Sequence, residues 1–405
     1  MARRRKGHVR QRRRHDHRPP THRQARRPRR TAGALVSGTP SVIDADGHIV
    51  EPDACFRDFL PQKYASYAPR IVQFDDHFRY VCGDRISFRI HARPETVGAP
   101  GQTAHVTDAP IVARGADDPV GRLLDMDIDL IERAALYPTY GLMIQGVTER
   151  EPGVALCRAL NDWLASYCAH DPKRLIGIAT LPMTHPDDAL AEARRCVEQH
   201  GFRGVWRRPE RFENIAPLHD PGYDALWSYL EETDVPLGIH PGLNGVVPYS
   251  YFGDRFDNDY TAMHAAHFPV EQIMNLTTLI AFGILERHPL LRVGLLETGA
   301  VWALHYLHRL DEHLEVFGYP NADLTMRPSD YFRRQCVVSV EEVEPGLDAM
   351  LAAYPDNVVF ASDYPHADGT FPGATKELLD TTLLSDAQRR AVLRDNAMNF
   401  YRLEA

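Results

Sequence analysis

Four short segments, spread from one end of the chain to the other, each carry an apolar, β-branched run that ends on metal-binding side chains. They are Asp46 and His48 in VIDADGH, His240 in VPLGIHPG, Glu297 in RVGLLETG, and Asp363 with His366 in VVFASDYPH. Gly or Pro follows closely in each case, so the pattern reads as a strand entering a turn, with the polar group at the carboxyl end. One such segment would mean little. Four, separated by helical stretches, predict a parallel α/β barrel whose ligands converge on one face, where barrel enzymes keep their active sites. The expected class is a metalloenzyme.

The net charge of −9 hides an asymmetry. Residues 1–40 hold 14 of the 46 Lys and Arg residues and one acid, Asp16, a local charge of +13 that leaves −22 for the remainder. An acidic body argues against nucleic acid as a partner. The basic tail reads as a disordered arm or as translated non-coding sequence ahead of a true start near Val36, and is not expected to fold. It lacks the apolar segment of a secretory signal. The six cysteines form no CxxC pair and read as reduced core thiols of a cytoplasmic protein. No apolar run approaches the roughly 18 residues of a membrane span.

From residue 41 to 405 a single domain is expected. Strands are predicted at about 41–46, 133–138, 175–182, 202–207, 235–240, 292–297, 336–340 and 358–363, in alternation with helices, which suits a (β/α)8 barrel. Residues 186–200 begin with Pro and two acids and stop before Gly201, as helix termini prefer. Two segments break the alternation. Residues 70–118 predict a small antiparallel insertion after the first strand. Residues 243–268, aromatic and not periodic, predict a substrate lid after the fifth.

In Asp46-Gly47-His48 the alternation of a strand points both side chains to one side, so a single cation can take both. Asp44 reads as a structural acid that caps a turn or orients a ligand. A lone His in an apolar strand is more often a core residue than a ligand, but Pro241-Gly242 after His240 shifts the balance toward a site. Glu297 and Asp363 follow apolar runs, where a carboxylate is costly to bury unless paired or bound to metal.

VIDADGHIVEP, GIHPG, RVGLLETGAVW and FASDYPHADGTFP together resemble the amidohydrolase-2 family of TIM-barrel metalloproteins, over about residues 41–402. That family includes aminocarboxymuconate-semialdehyde, resorcylate and carboxyvanillate decarboxylases. The resemblance implies one divalent metal on Asp46, His48, His240 and Asp363, with Glu297 where the family's acid–base His stands. The chain departs from the pattern in Asp46, in Glu297 and in the extra His366, and the lid adds His264 and His267. His264 reads as structural.

These departures resemble a branch of non-haem di-iron monooxygenases on the same barrel, thought to act largely on CoA-linked substrates. The resulting expectation is an oxidoreductase. Asp46, His48, His240, His267, Glu297, Asp363 and His366 would hold iron, one or two ions per chain, for hydroxylation of an apolar acyl substrate, with an external electron donor. Within this reading Glu297, Asp363 and His366 are the catalytic candidates. The rival is a hydrolase or non-oxidative decarboxylase using one zinc or manganese ion, with Glu297 as base. Arg207 and Arg208 could bind a substrate carboxylate or phosphate, and Trp302 could wall the pocket. Barrels of this kind are often homodimers.

Overall fold

A computed structural model of the chain describes residues 41–74, 77–86, 113–209, 215–242, 255–257, 259–366 and 369–404. The basic tail of residues 1–40 and residues 243–254 of the expected lid lie outside the described residues. Pro40–Ala405 forms one compact unit.

Eight parallel strands follow one another in sheet order: β1 (Val42–His48), β5 (Ile131–Tyr137), β6 (Leu175–Thr180), β7 (Gly204–Arg207), β8 (Leu237–Ile239), β9 (Val293–Leu295), β10 (Cys336–Val340) and β11 (Val358–Phe360). A separate antiparallel sheet, β2 (Arg70–Gln73), β3 (Phe78–Cys82) and β4 (Arg85–Ile86), is the insertion expected after the first strand. Residues 87–112 of that insertion lie outside the described residues. The barrel is drawn together at its carboxyl end by backbone bonds from His48 N to Tyr364 O (2.6 Å) and from Asp363 N to Asp46 O (3.2 Å).

The strands form where the sequence places β-branched and aliphatic residues in short runs. All seven residues of β1 are buried, as expected of a strand covered on both faces. Ile43, Ala45, Ala135, Tyr137, Ile176, Ile178, Trp206, Leu296, Val337 and Val359 cluster with Ala397 and Phe400 of the last helix and Tyr401 just after it. Gly238 makes room there, since a Cβ would stand 2.5 Å from the Tyr137 hydroxyl. The outer layer is a larger apolar cluster between strands and helices.

The helix Pro186–His200 runs between the expected limits, with Asp187 and Asp188 in its first turn and Gly201 in the left-handed region (φ 70°) at its end. A second helix, Tyr260–Ala281, occupies the latter part of the segment read as an aperiodic lid. Pro269 lies inside it, and Asp259 caps its start by accepting from Ala262 N at 2.8 Å. All six cysteines are free and buried. Among the described residues no helix is long and apolar enough to cross a membrane.

Candidate metal centre

The strand ends put the expected side chains into one place. Asp46 and His48 end β1, His240 follows β8, Glu297 stands just beyond β9 and Asp363 just beyond β11. Glu297 (φ 56°) and Asp363 (φ 50°) both hold left-handed backbone, which non-glycine residues rarely adopt and which is found disproportionately at functional sites. Two further side chains, one on a helix and one on β10, pin these ends. Gln272 donates from Nε2 to Ile239 O (2.7 Å) and Leu296 O (3.1 Å), the carbonyls just ahead of His240 and Glu297. Ser339 accepts from Glu297 N at 2.9 Å.

Asp44 is the structural acid expected from the sequence. Its Oδ2 accepts from Ser362 Oγ (2.6 Å) and its Oδ1 from Ser362 N (3.0 Å) and Asp46 N (3.3 Å), which joins the first strand to the last. The Arg122 guanidinium lies 3.6 Å from it, and both groups are buried. Burial raises the Asp44 pKa, with Arg122 and Ser362 pulling the other way.

The two histidines decide what the centre can do. His48 Nδ1 lies 2.8 Å from Pro138 O, and His240 Nδ1 hydrogen-bonds Pro241 O. A carbonyl can only accept, so each Nδ1 carries the hydrogen and each Nε2 keeps a bare lone pair. Those two Nε2 atoms face one another at 3.1 Å. Two lone pairs cannot bond each other, so a cation between them completes the geometry. Asp46 Oδ1, buried and without a hydrogen-bond partner, is 3.3 Å from His240 Nε2 and 3.8 Å from His48 Nε2. Asp363 Oδ1 is 3.4 Å from His48 Nε2, and Glu297 Oε2 is 3.5 Å from His240 Nε2. Burial first, then His366 and His240, hold the His48 pKa well below the ordinary value. Neutral imidazole is the form that binds metal. The donor set therefore fits a divalent metal.

Asp46, His48 and His240 form one group of metal-capable atoms, and His48, Asp363 and His366 a second, each within 4.8 Å. The groups share His48, which makes them one centre. His366 turns Nδ1 to Asp363 Oδ1 (2.6 Å) and Nε2 to Thr139 Oγ1 (2.8 Å), so both its nitrogens are engaged. His267 stands in neither group and lies 3.8 Å from Glu271, a buried partner that the sequence reading did not single out. Arg207 and Arg208 are buried at the end of β7, Arg207 Nε donating to Arg208 O (3.0 Å) and Arg208 Nη1 to Leu142 O (2.8 Å). Trp302 is half-buried and donates to Gly299 O at 2.9 Å.

An eight-stranded parallel barrel with imidazoles and carboxylates at its strand ends defines the class of metal-dependent barrel enzymes. Within it the family is specific: the Amidohydro_2 amidohydrolase model matches residues 43–403, and the chain belongs to that family. A γ-resorcylate decarboxylase of Rhodococcus jostii (strain RHA1) is 29% identical over 276 residues, 64% of this chain and 80% of that protein. An amidohydrolase structure from Mycobacterium avium subsp. paratuberculosis K-10 superposes with a TM-score of 0.71 at 23% identity, covering 89% of this chain and 99% of the other. A dihydroxybenzoic acid decarboxylase from Polaromonas sp. JS666, with bound manganese and 2-nitroresorcinol, gives a TM-score of 0.63 at 20% identity over 90% of this chain and 98% of the other.

These relatives correct the expected chemistry. The relatives matched by sequence are decarboxylases, not oxygenases, and the monooxygenase and oxidoreductase readings do not stand. In the structure the two groups of metal-capable atoms share His48. The acyl-CoA substrate and the electron donor fall with that reading, because decarboxylation exchanges no electrons with an outside partner.

Proposed function

We propose that the chain is a metal-dependent, non-oxidative decarboxylase of an aromatic carboxylate. The observation that carries this reading is the pair of Nε2 lone pairs 3.1 Å apart, each fixed by a backbone carbonyl behind it and flanked by Asp46 and Asp363. His48, His240, Asp46 and Asp363 would hold the metal, with manganese or zinc the matching ions. When bound, the metal supplies a Lewis acid that fixes substrate oxygens and draws off negative charge.

The rest falls to the protein. Loss of CO2 breaks a carbon–carbon bond and leaves its electron pair on the ring carbon, so a proton must be delivered there. Glu297 is the carboxyl group placed to carry it: it follows β9 at the mouth of the barrel and lies beside His240. His366 orients the Asp363 carboxylate through its Nδ1, and Thr139 fixes the far side of the ring. The aromatic substrate class is supported by the γ-resorcylate and dihydroxybenzoic acid decarboxylases, whose named substrates are hydroxybenzoates.

The test is metal analysis of the purified chain together with CO2 release from 2,6-dihydroxybenzoate and related hydroxybenzoates. The expected result is about one manganese or zinc per chain, with CO2 release that stops on chelation and returns with the metal. A chain that binds metal but releases no CO2 from any hydroxybenzoate, or that turns over only hydrolysable amides or esters, overturns the decarboxylase reading.

A further inference from the structure

Three residues beyond His48, the chain buries another carboxylate, Glu51, which is 4% exposed. Its Oε2 accepts from Thr139 N (3.3 Å) and Tyr140 N (2.9 Å), and its Oε1 from Gly141 N (2.8 Å). Three successive backbone amides thus close on one carboxylate just after β5, a geometry that fixes a turn far more tightly than a single bond does. The same turn presents two groups to the metal centre. Pro138 O accepts from His48 Nδ1 at 2.8 Å, and Thr139 Oγ1 meets His366 Nε2 at 2.8 Å while donating to Ile49 O at 2.7 Å.

We propose that Glu51 is a positioning residue of the metal centre: by clamping the 139–141 amides it holds the Pro138 carbonyl that fixes the tautomer of His48 and the Thr139 hydroxyl that fixes the ring of His366. Glu51 touches no candidate ligand itself. Its action passes through the turn.

Packing alone does not account for a carboxylate here. Burial pushes the Glu51 pKa up to about 7 even against the pull of its amide partners, so the charged form is costly in this position. Its other neighbours do not offset that charge. Cys55 is a buried thiol, Asp53 and Tyr140 add no cation, and Arg57 is engaged by Asp58 at 2.8 Å while Arg70 donates to Ser66 O at 3.1 Å. A neutral residue would fill the same space at lower cost but would not gather three N–H groups onto one side chain. Glu51 also lines a cavity of about 630 Å³ with Phe56, Leu60, Ile71 and Tyr140.

The inference rests on the metal-binding reading of the centre, and the test is chosen to tell the two apart. Ring nitrogens of ¹⁵N-histidine are observed by NMR in metal-free protein, with His48 assigned by the loss of its signals in His48→Gln. The expected result is a single protonated Nδ1 in the parent chain and mixed tautomers at His48 in Glu51→Gln. Zn²⁺ affinity by chelator competition should fall at least tenfold in the same variant. Glu51→Asp keeps the charge but shortens its reach, and should lie between; it also serves if Glu51→Gln does not fold. Unchanged His48 signals and affinity within twofold in a folded variant overturn the proposal. A shifted tautomer in a chain whose parent binds no divalent metal upholds the clamp and rejects the metal reading.

Discussion

Replacing Asp44 by Ala should open the seam between the first and last strands of the barrel. Four interactions meet on this carboxylate: Ser362 Oγ at 2.6 Å, Ser362 N at 3.0 Å, Asp46 N at 3.3 Å and the Arg122 guanidinium at 3.6 Å. Ala leaves three buried donors without an acceptor, at about 1–3 kcal/mol for each that finds no water. It also strands a guanidinium 1% exposed, whose remaining partners are His48 O at 2.7 Å and the Tyr364 ring at 4.2 Å. Removing one partner of a buried pair costs about 3–5 kcal/mol, and these terms overlap because they share the same cavity. A net loss of about 4 kcal/mol is expected, a large part of a typical domain's stability. Asp44→Asn keeps an oxygen for the two backbone amides but loses the charge facing Arg122 and the acceptor of the Ser362 hydroxyl, so a smaller loss than for Ala is expected. The assay is urea unfolding of metal-free protein at pH 7, followed by tryptophan fluorescence. A loss under about 1 kcal/mol for Asp44→Ala would show that water relaxes the seam and that the clasp does not hold the barrel closed.

Two further outcomes follow from the same centre. The folded pKa of Glu51, about 7, lies above the ordinary carboxylate value of 4.5, so its contribution to stability is complete below pH 4.5 and is lost as pH rises through 7. The loss is about 3 kcal/mol, and Glu51→Gln should escape it; unfolding curves of metal-free parent and variant that run parallel between pH 4.5 and 8 would refute the assignment. For the ligand set, His240→Gln should abolish metal binding by elemental analysis, whereas His267→Gln, at a residue in neither metal-capable group, should keep the metal content of the parent.

The barrel was legible because its signals are local. Eight short apolar runs ending at Gly, Pro or a polar residue mark eight strands, and the helix at 186–200 carries its limits in Pro186 and Gly201. Asp46, His48, His240 and Asp363 were legible for the same reason: a costly side chain at the end of an apolar run needs an explanation. The helix at 260–281 was not, since the lid boundary drawn at residue 268 cut across it. The Pro138 carbonyl and the three amides on Glu51 leave no trace in the sequence at all, because any residue supplies a backbone donor or acceptor.

The excess of candidate ligands misled for a related reason. Seven acids and imidazoles counted along the chain suggest capacity for two metals, but a count carries no distances. In the barrel His366 turns to Asp363 and Thr139, His267 stands beside Glu271, and His48 belongs to both groups of metal-capable atoms. His366 keeps its place in the second metal-capable group, and its contact with Asp363 would also orient that ligand. The departures from the family pattern then bear on proton transfer more than on metal number. Where the family places a histidine after the sixth strand, this chain presents Glu297 on left-handed backbone, beside His240. A carboxylate there adds a negative charge to a centre already holding Asp46 and Asp363. Proton delivery to the ring carbon would then pass through a carboxyl group instead of an imidazole.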